Sequence, residues 1–214
     1  SDDPMVVMEI IAETVEELGF KDHMAYALDC ASSEYYDAEK GLYRWRDGYV
    51  DREAIIDQLA RLAKKYPIAF IEDALWEEDF EGFQMASKAV NTVIVGDDFL
   101  CTSIDRAEKA VEMGAARGMI FKPNQAGTLT EALETAKYMM DRNLLVIPSG
   151  RAGGTLDSPE KEIGVALGAL VTKTGAPRSG SRTNGFNFLL RTAEELGVPQ
   201  TNIMDLPIFA HLHK

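Results

Sequence analysis

The sequence predicts an α/β fold built from repeated strand–helix units. Short runs rich in β-branched and aliphatic residues alternate with longer segments of helical period, which is typical of βα units. These runs are almost continuously apolar, as expected of parallel strands that are covered on both faces. Because no linker-like or low-complexity segment divides the 214 residues, we expect a single domain over residues 1–214.

Six apolar runs are predicted as strands. They cover residues 24–30, 68–73, 92–97, 119–122, 144–149 and 170–173. From the second run onward, successive runs are separated by about the length of one βα unit. The first interval is longer because it contains an extra segment, residues 35–50.

Six helices are predicted from the remaining segments. They cover residues 6–18, 53–65, 105–113, 129–140, 160–167 and 185–196. Glycines at positions 19, 114 and 197 end three of them, and Thr128 with Glu131 forms a capping box before a fourth. Between the second and third strands, Phe80 and Phe83 are expected to be core or loop anchors, and the acidic residues 77–79 a solvated loop.

The composition excludes several classes of protein. The apolar fraction is 46% and the charged fraction 27%, which is ordinary for a globular domain. The net charge of −13 argues against nucleic acid or an anionic membrane surface as the main partner. No uninterrupted apolar run approaches the ~18 residues of a membrane span. The two cysteines, Cys30 and Cys101, have no metal-ligand spacing, so we expect buried thiols rather than a disulfide, in a reducing compartment and a cytoplasmic location.

Polar residues close each of the six predicted strands. In chain order these residues are Asp29, Glu72, Asp97, Lys122, Ser149 and Lys173. The carboxyl ends of parallel strands meet at one rim, which is where (β/α) barrels carry their chemistry. A single such residue is more often a helix cap or a solvated strand end, but six in series are hard to explain in that way. The order of three acids before the lysines predicts a cation site facing cationic side chains.

The chemistry of this set points to proton abstraction beside a carboxylate. Three carboxylates without histidine or cysteine ligands form a hard-oxygen site that suits Mg²⁺. A lysine near another cation has a lowered pKa and can act as a general base, and a second lysine can hold an anionic group. The metal and one lysine would then stabilise an enolate while the other lysine removes the proton.

Short motifs at these positions resemble the enolase (phosphopyruvate hydratase) family in both order and spacing. The motifs are ALDCASSE at 27–34, IED at 71–73, VGDD at 95–98, KPNQ at 122–125, KTGAP at 173–177 and FLLRTAEELG at 188–197. The resemblance extends from about residue 9 to residue 197. It implies a TIM barrel of the enolase C-terminal type. It also implies a glycolytic lyase activity, the Mg²⁺-dependent dehydration of 2-phosphoglycerate to phosphoenolpyruvate.

The resemblance also assigns roles position by position. It implies that the first Mg²⁺ ion is bound by Asp29, Glu72 and Asp97. Lys122 would be the base that takes the proton from carbon 2, Lys173 would contact the substrate carboxylate, and Arg151 would bind the phosphate. Ser149, at the same strand end as Arg151, would join the substrate-binding residues. The expected partner is therefore a small phosphorylated carboxylate.

Several departures from the family pattern alter these expectations. The family usually has Ser-His-Arg-Ser-Gly-Glu-Thr where this chain has SGRAGGT at 149–155, so Gly150 replaces a histidine and Ala152 replaces a serine that contacts phosphate. The usual Lys-Val-Asn-Gln is KPNQ here. The six strands match barrel strands three to eight, so the N-terminal domain and first two barrel strands are expected to be absent. The catalytic acid and the loops for a second Mg²⁺ ion would be absent with them, which predicts an incomplete barrel and an incomplete active site.

Alternatives to this activity stay open at the level of sequence. The chain is either enolase-like, or another lyase or isomerase of the superfamily that acts on a different carboxylate, or a non-catalytic homologue. The glycine-rich residues 150–155 are either a flexible loop or part of a phosphate cradle beside Arg151. An arc of six strands exposes two edges, so we expect either association with another copy or a partner, with a homo-oligomer favoured, or upstream residues that close the barrel.

Overall fold

A computed structural model describes residues 3–151, 155–156, 159–198 and 201–213. The chain divides into two compact units, residues 1–94 with 202–214 and residues 95–201. None of the described helices is both long enough and apolar enough to cross a lipid bilayer.

The first unit combines two long helices, two parallel strands and a small antiparallel sheet. In chain order its elements are α1 (Pro4–Glu17), β1 (Tyr26–Asp29), β2 (Tyr36–Asp37), β3 (Leu42–Trp45), β4 (Gly48–Val50), α2 (Arg52–Lys65), β5 (Ile68–Glu72) and α3 (Phe80–Ala89). Strands β1 and β5 are parallel and place Asp29 directly opposite Glu72. The first two predicted strands are therefore present, each ending at or next to its predicted polar residue.

Helix α2 shows why these helices form where the sequence predicts them. The side chain of Asp51 caps the helix by accepting a hydrogen bond from the Ala54 amide at 2.9 Å. One face is apolar and buried, and consists of Ile55, Ile56, Leu59 and Leu62. Lys64 and Lys65 occupy the last turn, where positive charge complements the helix dipole.

Two elements of the first unit were not predicted from the sequence. Residues 36–50 form the three-stranded antiparallel sheet β2–β3–β4, in which the ring of Tyr36 stacks on Trp76 at a centroid distance of 4.5 Å. Helix α3 begins after Asp79, whose carboxylate accepts from the Gly82 amide at 2.9 Å. The expected solvated loop at 77–79 thus ends in a helix cap, and Phe83 is fully buried in the core.

The C-terminal segment of the chain packs in the first unit as short 3₁₀ helices. The second of these, Pro207–His213, buries Phe209 completely. The ring nitrogen Nε2 of His211 lies 2.9 Å from the carbonyl oxygen of Ile68, and it donates because a carbonyl can only accept. The hydroxyl of Thr92 donates to the same carbonyl at 2.7 Å. The C-terminal segment is therefore hydrogen-bonded to β5 through His211.

The second unit repeats the strand–helix alternation. Its elements are β6 (Val93–Gly96, of which the last two residues lie in this unit), α4 (Ile104–Met113), β7 (Gly118–Phe121), α5 (Pro123–Ala126), α6 (Leu129–Met140), β8 (Leu145–Pro148), α7 (Glu160–Leu167) and α8 (Gly180–Leu196). Strands β6, β7 and β8 pair in parallel, and every residue in them is buried. Gly114 has a left-handed φ of +66° after α4, and the hydroxyl of Thr128 caps α6, as predicted.

The prediction of a strand at 170–173 was wrong. Within the described residues this segment forms a single parallel bridge between Ser149 and Lys173, in which the Lys173 amide donates to the Pro148 carbonyl at 2.9 Å. The reason is local, because the amide of Ala169 still bonds to the carbonyl of Gly164 in α7, and the chain becomes extended only afterwards. Leu170 is 55% exposed, so no burial drives a longer strand here.

Candidate active site

The predicted site residues are distributed over both units. Asp29 and Glu72 belong to the first unit, and Asp97, Lys122, Ser149, Arg151 and Lys173 belong to the second. Five of the seven lie at or directly after the C-terminal end of a parallel strand, namely Asp29, Glu72, Asp97, Lys122 and Ser149. The strand ends of each unit therefore carry the polar groups that the sequence indicated.

In the first unit, Asp29 and Glu72 are neighbours across the β1–β5 pair. Glu72 is 1% exposed, whereas Asp29 is at the surface. Beyond the strands the backbone pairing continues, because the Cys30 amide donates to the Glu72 carbonyl at 3.0 Å and the Ser32 amide donates to the Asp73 carbonyl at 3.2 Å. This extension holds the two carboxylate-bearing residues in a fixed register.

The pKa of the Cys30 thiol shows the effect of the negative charges of these carboxylates. Burial raises the pKa of Cys30 to about 12, and the negative charges of Asp29, Asp73 and Glu72 add to the rise. Three carboxylates therefore act on one point, and their potential favours a cation. Both cysteines are free thiols, as predicted, and the high pKa keeps Cys30 protonated at neutral pH.

In the second unit, Lys122 and Asp97 form an ion pair. The Lys122 ammonium donates to Oδ2 of Asp97, and the two side chains are only 13% and 10% exposed. Gln125 donates from Nε2 to the other oxygen, Oδ1, at 3.2 Å. The amide of Lys122 donates to the hydroxyl of Thr102 at 2.9 Å, which fixes the backbone at the end of β7. Asp97 is thus held by two side chains from the next strand–helix connection.

Sequence reasoning missed the roles of Gln125 and Thr102. Gln125 stands in a motif that was recognised but was given no function. Thr102 is fully buried with a left-handed φ of +50°, and its hydroxyl lies 3.3 Å from Oε1 of Gln125. Lys122, Thr102 and Gln125 therefore form one connected set around Asp97. No sequence pattern marks Thr102, because its partners are distant in the chain.

Ser149, Arg151 and Lys173 line a single cavity of about 500 Å³ in the second unit. The described lining also includes Lys161, Arg178 and Arg182, so five basic side chains face one acidic residue, Glu160. A local excess of positive charge in a chain of net charge −13 focuses the field on anions. The three predicted substrate-binding residues are thus brought together. Ala152 and the other residues of 152–154 lie outside the described part of the chain.

The predicted metal ligands match Mg²⁺ in the chemistry of their donors. Asp29, Glu72 and Asp97 supply carboxylate oxygens only, which are the ligands that Mg²⁺ prefers. Over the ranges 3–151, 155–156, 159–198 and 201–213, no group of three or more histidine, cysteine, aspartate or glutamate side chains is arranged to hold a metal ion. In this arrangement Asp97 is instead engaged by Lys122 and Gln125.

Comparison with known proteins gives a consistent set of relatives. The family described as "Enolase, C-terminal TIM barrel domain" matches residues 2–202. The enolase of Methanocaldococcus jannaschii is 40% identical over 191 residues, which are 89% of this chain and 45% of that protein. The enolase of Methanopyrus kandleri is 41% identical over 198 residues, covering 91% and 46%, and that of Thermococcus gammatolerans is 41% identical over 193 residues, covering 88% and 45%. The chain thus spans about half the length of the curated relatives it matches.

Proposed function

Since the chain belongs to the enolase family, we propose that it carries the substrate-binding and proton-abstracting part of a Mg²⁺-dependent dehydration of 2-phosphoglycerate to phosphoenolpyruvate. The observation that carries this proposal is the cavity in which Ser149, Arg151 and Lys173 meet. A substrate with a phosphate and a carboxylate is strongly anionic, and five basic side chains line this cavity.

Arg151 and Lys173 divide the recognition of the substrate between them. A guanidinium presents a planar fork of donors that matches phosphate oxygens, so Arg151 would bind the phosphate. The ammonium of Lys173 is a compact charge that would hold the carboxylate. The bridge between Ser149 and Lys173 keeps these two positions adjacent on neighbouring backbone segments. This fixed spacing favours a ligand that carries both anionic groups.

Lys122 would be the general base. In the proposed step its neutral amine takes the proton from carbon 2, and the electron pair left behind moves onto the carboxylate of the substrate. The ammonium form of Lys122 is the one that pairs with Asp97 in the structure, so the base has a defined resting position after it has taken the proton. Departure of the 3-hydroxyl group needs a proton from a second acid, and no residue of the described chain is assigned this role.

Asp29, Glu72 and Asp97 are the residues that would hold Mg²⁺. When bound, the ion supplies positive charge that stabilises the enolate. The carboxylates around Cys30 provide a negative potential in the first unit, and Asp97 is a buried carboxylate of the second unit. Asp97 would then serve both as a ligand of the ion and as the partner of Lys122.

The proposal is tested by hydrogen exchange at carbon 2, which requires the base but no acid that protonates the leaving hydroxyl group. The chain is incubated with 2-phosphoglycerate and Mg²⁺ in deuterated water, and loss of the carbon-2 proton signal is followed by NMR together with formation of phosphoenolpyruvate. We expect exchange with the native chain, none with Lys122→Ala, and native exchange with Lys88→Ala, which removes an exposed lysine of α3. Absence of exchange in the native chain, or exchange that survives Lys122→Ala, would contradict the proposal.

A second candidate is a different lyase or isomerase of the superfamily that acts on another carboxylate. The observation that favours it is the changed cavity wall at Gly150, where a side chain would collide with Glu160. The metal ligands and Lys122 are untouched by this change. Exchange of the proton beside the carboxylate in another phosphorylated acid, at a rate well above that of 2-phosphoglycerate, would select this candidate.

A further inference from the structure

Glu160 lines the cavity, and one of its carboxylate oxygens has no hydrogen-bond partner among the described residues. Glu160, the first residue of α7, is only 6% exposed. One of its oxygens, Oε1, accepts from the ammonium of Lys161 at 2.5 Å. The other, Oε2, is buried and has no hydrogen-bond partner among the described residues. Leaving a buried charged acceptor unpaired is costly, so the atom marks a place where a donor belongs.

Gly150 provides the space that this carboxylate occupies. A Cβ atom on residue 150 would lie 2.9 Å from Oε1 of Glu160 and 3.3 Å from its carboxyl carbon. The carboxylate therefore stands where a side chain at position 150 would begin, and the family pattern has a histidine there. In this chain the polar group at this point of the cavity wall comes from α7 instead of from the end of β8.

Lys161 forms an ion pair with Glu160. Its side chain is 7% exposed and passes α8 at Gly185, where a Cβ atom would lie 2.5 Å from Cε. The lack of a side chain at Gly185 thus leaves space for the side chain of Lys161. An ionised carboxylate can only accept hydrogen bonds. The missing partner of Oε2 must therefore be a donor.

The remaining walls of the cavity are cationic. Arg151, Arg178 and Arg182 line it, and within the described part of the chain none of the three forms an ion pair. These guanidiniums suit the phosphate and carboxylate groups of a ligand. Glu160 is the one carboxylate among the described lining residues, and its Oε2 is an acceptor without a partner there. A ligand that satisfies the whole wall carries a hydroxyl group as well as its anionic groups.

We propose that Glu160 is a specificity-determining residue whose Oε2 accepts a hydrogen bond from a hydroxyl group of a phosphorylated hydroxy acid bound in this cavity. The inference rests on the proposed function for the two anionic groups of the ligand and adds the requirement for the hydroxyl. Gly150 and Lys161 are its supporting residues, since Gly150 leaves the space for the carboxylate and Lys161 forms the ion pair with it.

The test compares two ligands that differ only in this hydroxyl, 2-phosphoglycerate and 2-phospholactate. Their dissociation constants are measured by calorimetry with the native chain and with Glu160→Gln. A hydrogen bond to a charged acceptor predicts that the native chain binds 2-phosphoglycerate about tenfold more tightly or better. In Glu160→Gln the preference should fall below about threefold. Glu162→Gln, which removes the same charge from an exposed position on α7, should keep the native preference.

A second variant guards against misfolding of the first. Gly150→Ala changes no charge and meets only the flexible end of Glu160, so we expect it to fold, to displace the carboxylate and to lose the preference as well. Equal affinity of the native chain for the two ligands, an unchanged preference in both variants, or binding of neither ligand would overturn the inference. A chain that prefers the hydroxyl but shows no exchange at carbon 2 refutes the proposed function alone, whereas exchange without the preference refutes this inference alone.

Discussion

The ammonium of Lys122 donates a hydrogen bond to Oδ2 of Asp97, so the proposed base and a proposed metal ligand are direct partners. Both side chains are nearly buried, and a pair of this kind is disrupted at high cost when one member is removed. Asp97 closes β6 and Lys122 follows β7, so the parallel pairing of these strands brings the two together. The proposed base and the proposed metal site therefore share one carboxylate.

The first prediction concerns this carboxylate. Asp97→Asn should weaken Mg²⁺ binding by about tenfold or more, because a neutral amide replaces a charged oxygen ligand. The measurement is a calorimetric titration with Mg²⁺, accompanied by a denaturant melt to show that the variant is folded. The matched control is Asp98→Asn, at an exposed neighbouring position, which should have a much smaller effect. An unchanged affinity in Asp97→Asn would remove Asp97 from the ligand set.

A second prediction concerns self-association. Apolar side chains are exposed on α1 and just after it, with Val6 40%, Ile10 57%, Leu18 65% and Phe20 51% exposed. Val6 and Ile10 lie one helical turn apart, so they form a continuous apolar face that favours a contact with another copy. We expect light scattering to give a mass above the 23.6 kDa of one chain and Ile10→Lys to lower it. Leu190→Lys, at an exposed position on α8, is the control, and a monomer at every concentration would contradict the prediction.

A third prediction concerns the C-terminal segment. Phe209 is fully buried where Pro207–His213 packs against β5, so Phe209→Ala should lower the free energy of unfolding by about 3–5 kcal/mol. Phe20→Ala makes the same change at a side chain that is 51% exposed and should cost less than about 1 kcal/mol. Urea unfolding of the two variants measures the difference. Equal losses would show that the segment does not contribute its aromatic side chain to the core.

The strand ends were predictable because buried strands require apolar residues, whereas the candidate site residues that follow them are polar. Strands β6, β7 and β8 are wholly buried, and their continuous apolar runs end abruptly at Asp97, Lys122 and Ser149. Local signals such as Gly114 and Thr128 also act within one turn of their helix, so they are readable without tertiary information. The predicted fold class, α/β and a TIM barrel of the enolase C-terminal type, is confirmed by the family match over residues 2–202.

The features that were missed depend on contacts between distant parts of the chain. The β2–β4 sheet is held by aromatic contacts such as Tyr36 with Trp76, which are 40 positions apart. In the sequence Glu160 is an ordinary acidic residue of the first turn of α7. Only the structure shows that it lines a cavity and lies where a side chain at position 150 would begin. Hydrophobic period and capping rules carry no information about such pairs. The site was therefore predictable at the strand ends and not in the helices and loops that complete it.

The last prediction follows from the phenol of Tyr43 in β3. Its ring is 2% exposed, and its oxygen accepts from the Trp76 amide at 2.9 Å. Burial raises the pKa of Tyr43 to about 12, with Asp79 and Tyr36 adding to the rise and the Trp76 amide opposing it. In the unfolded chain a tyrosine has its ordinary pKa of about 10. The folded chain therefore keeps a proton on Tyr43 at pH values where the unfolded chain has lost it.

It follows that the free energy of unfolding falls as the pH rises through the window from 10 to about 12. The stabilisation from Tyr43 is complete below pH 10 and is lost above about 12, and we expect it to amount to no more than about 3 kcal/mol. Tyr43→Phe should reduce this fall while lowering stability at neutral pH by about 1 kcal/mol, since the Trp76 amide loses its acceptor. Urea unfolding of both chains between pH 8 and pH 12 measures the two slopes. Parallel slopes would show that Tyr43 does not hold its proton more tightly in the folded state, because every other tyrosine and lysine titrates alike in the two chains.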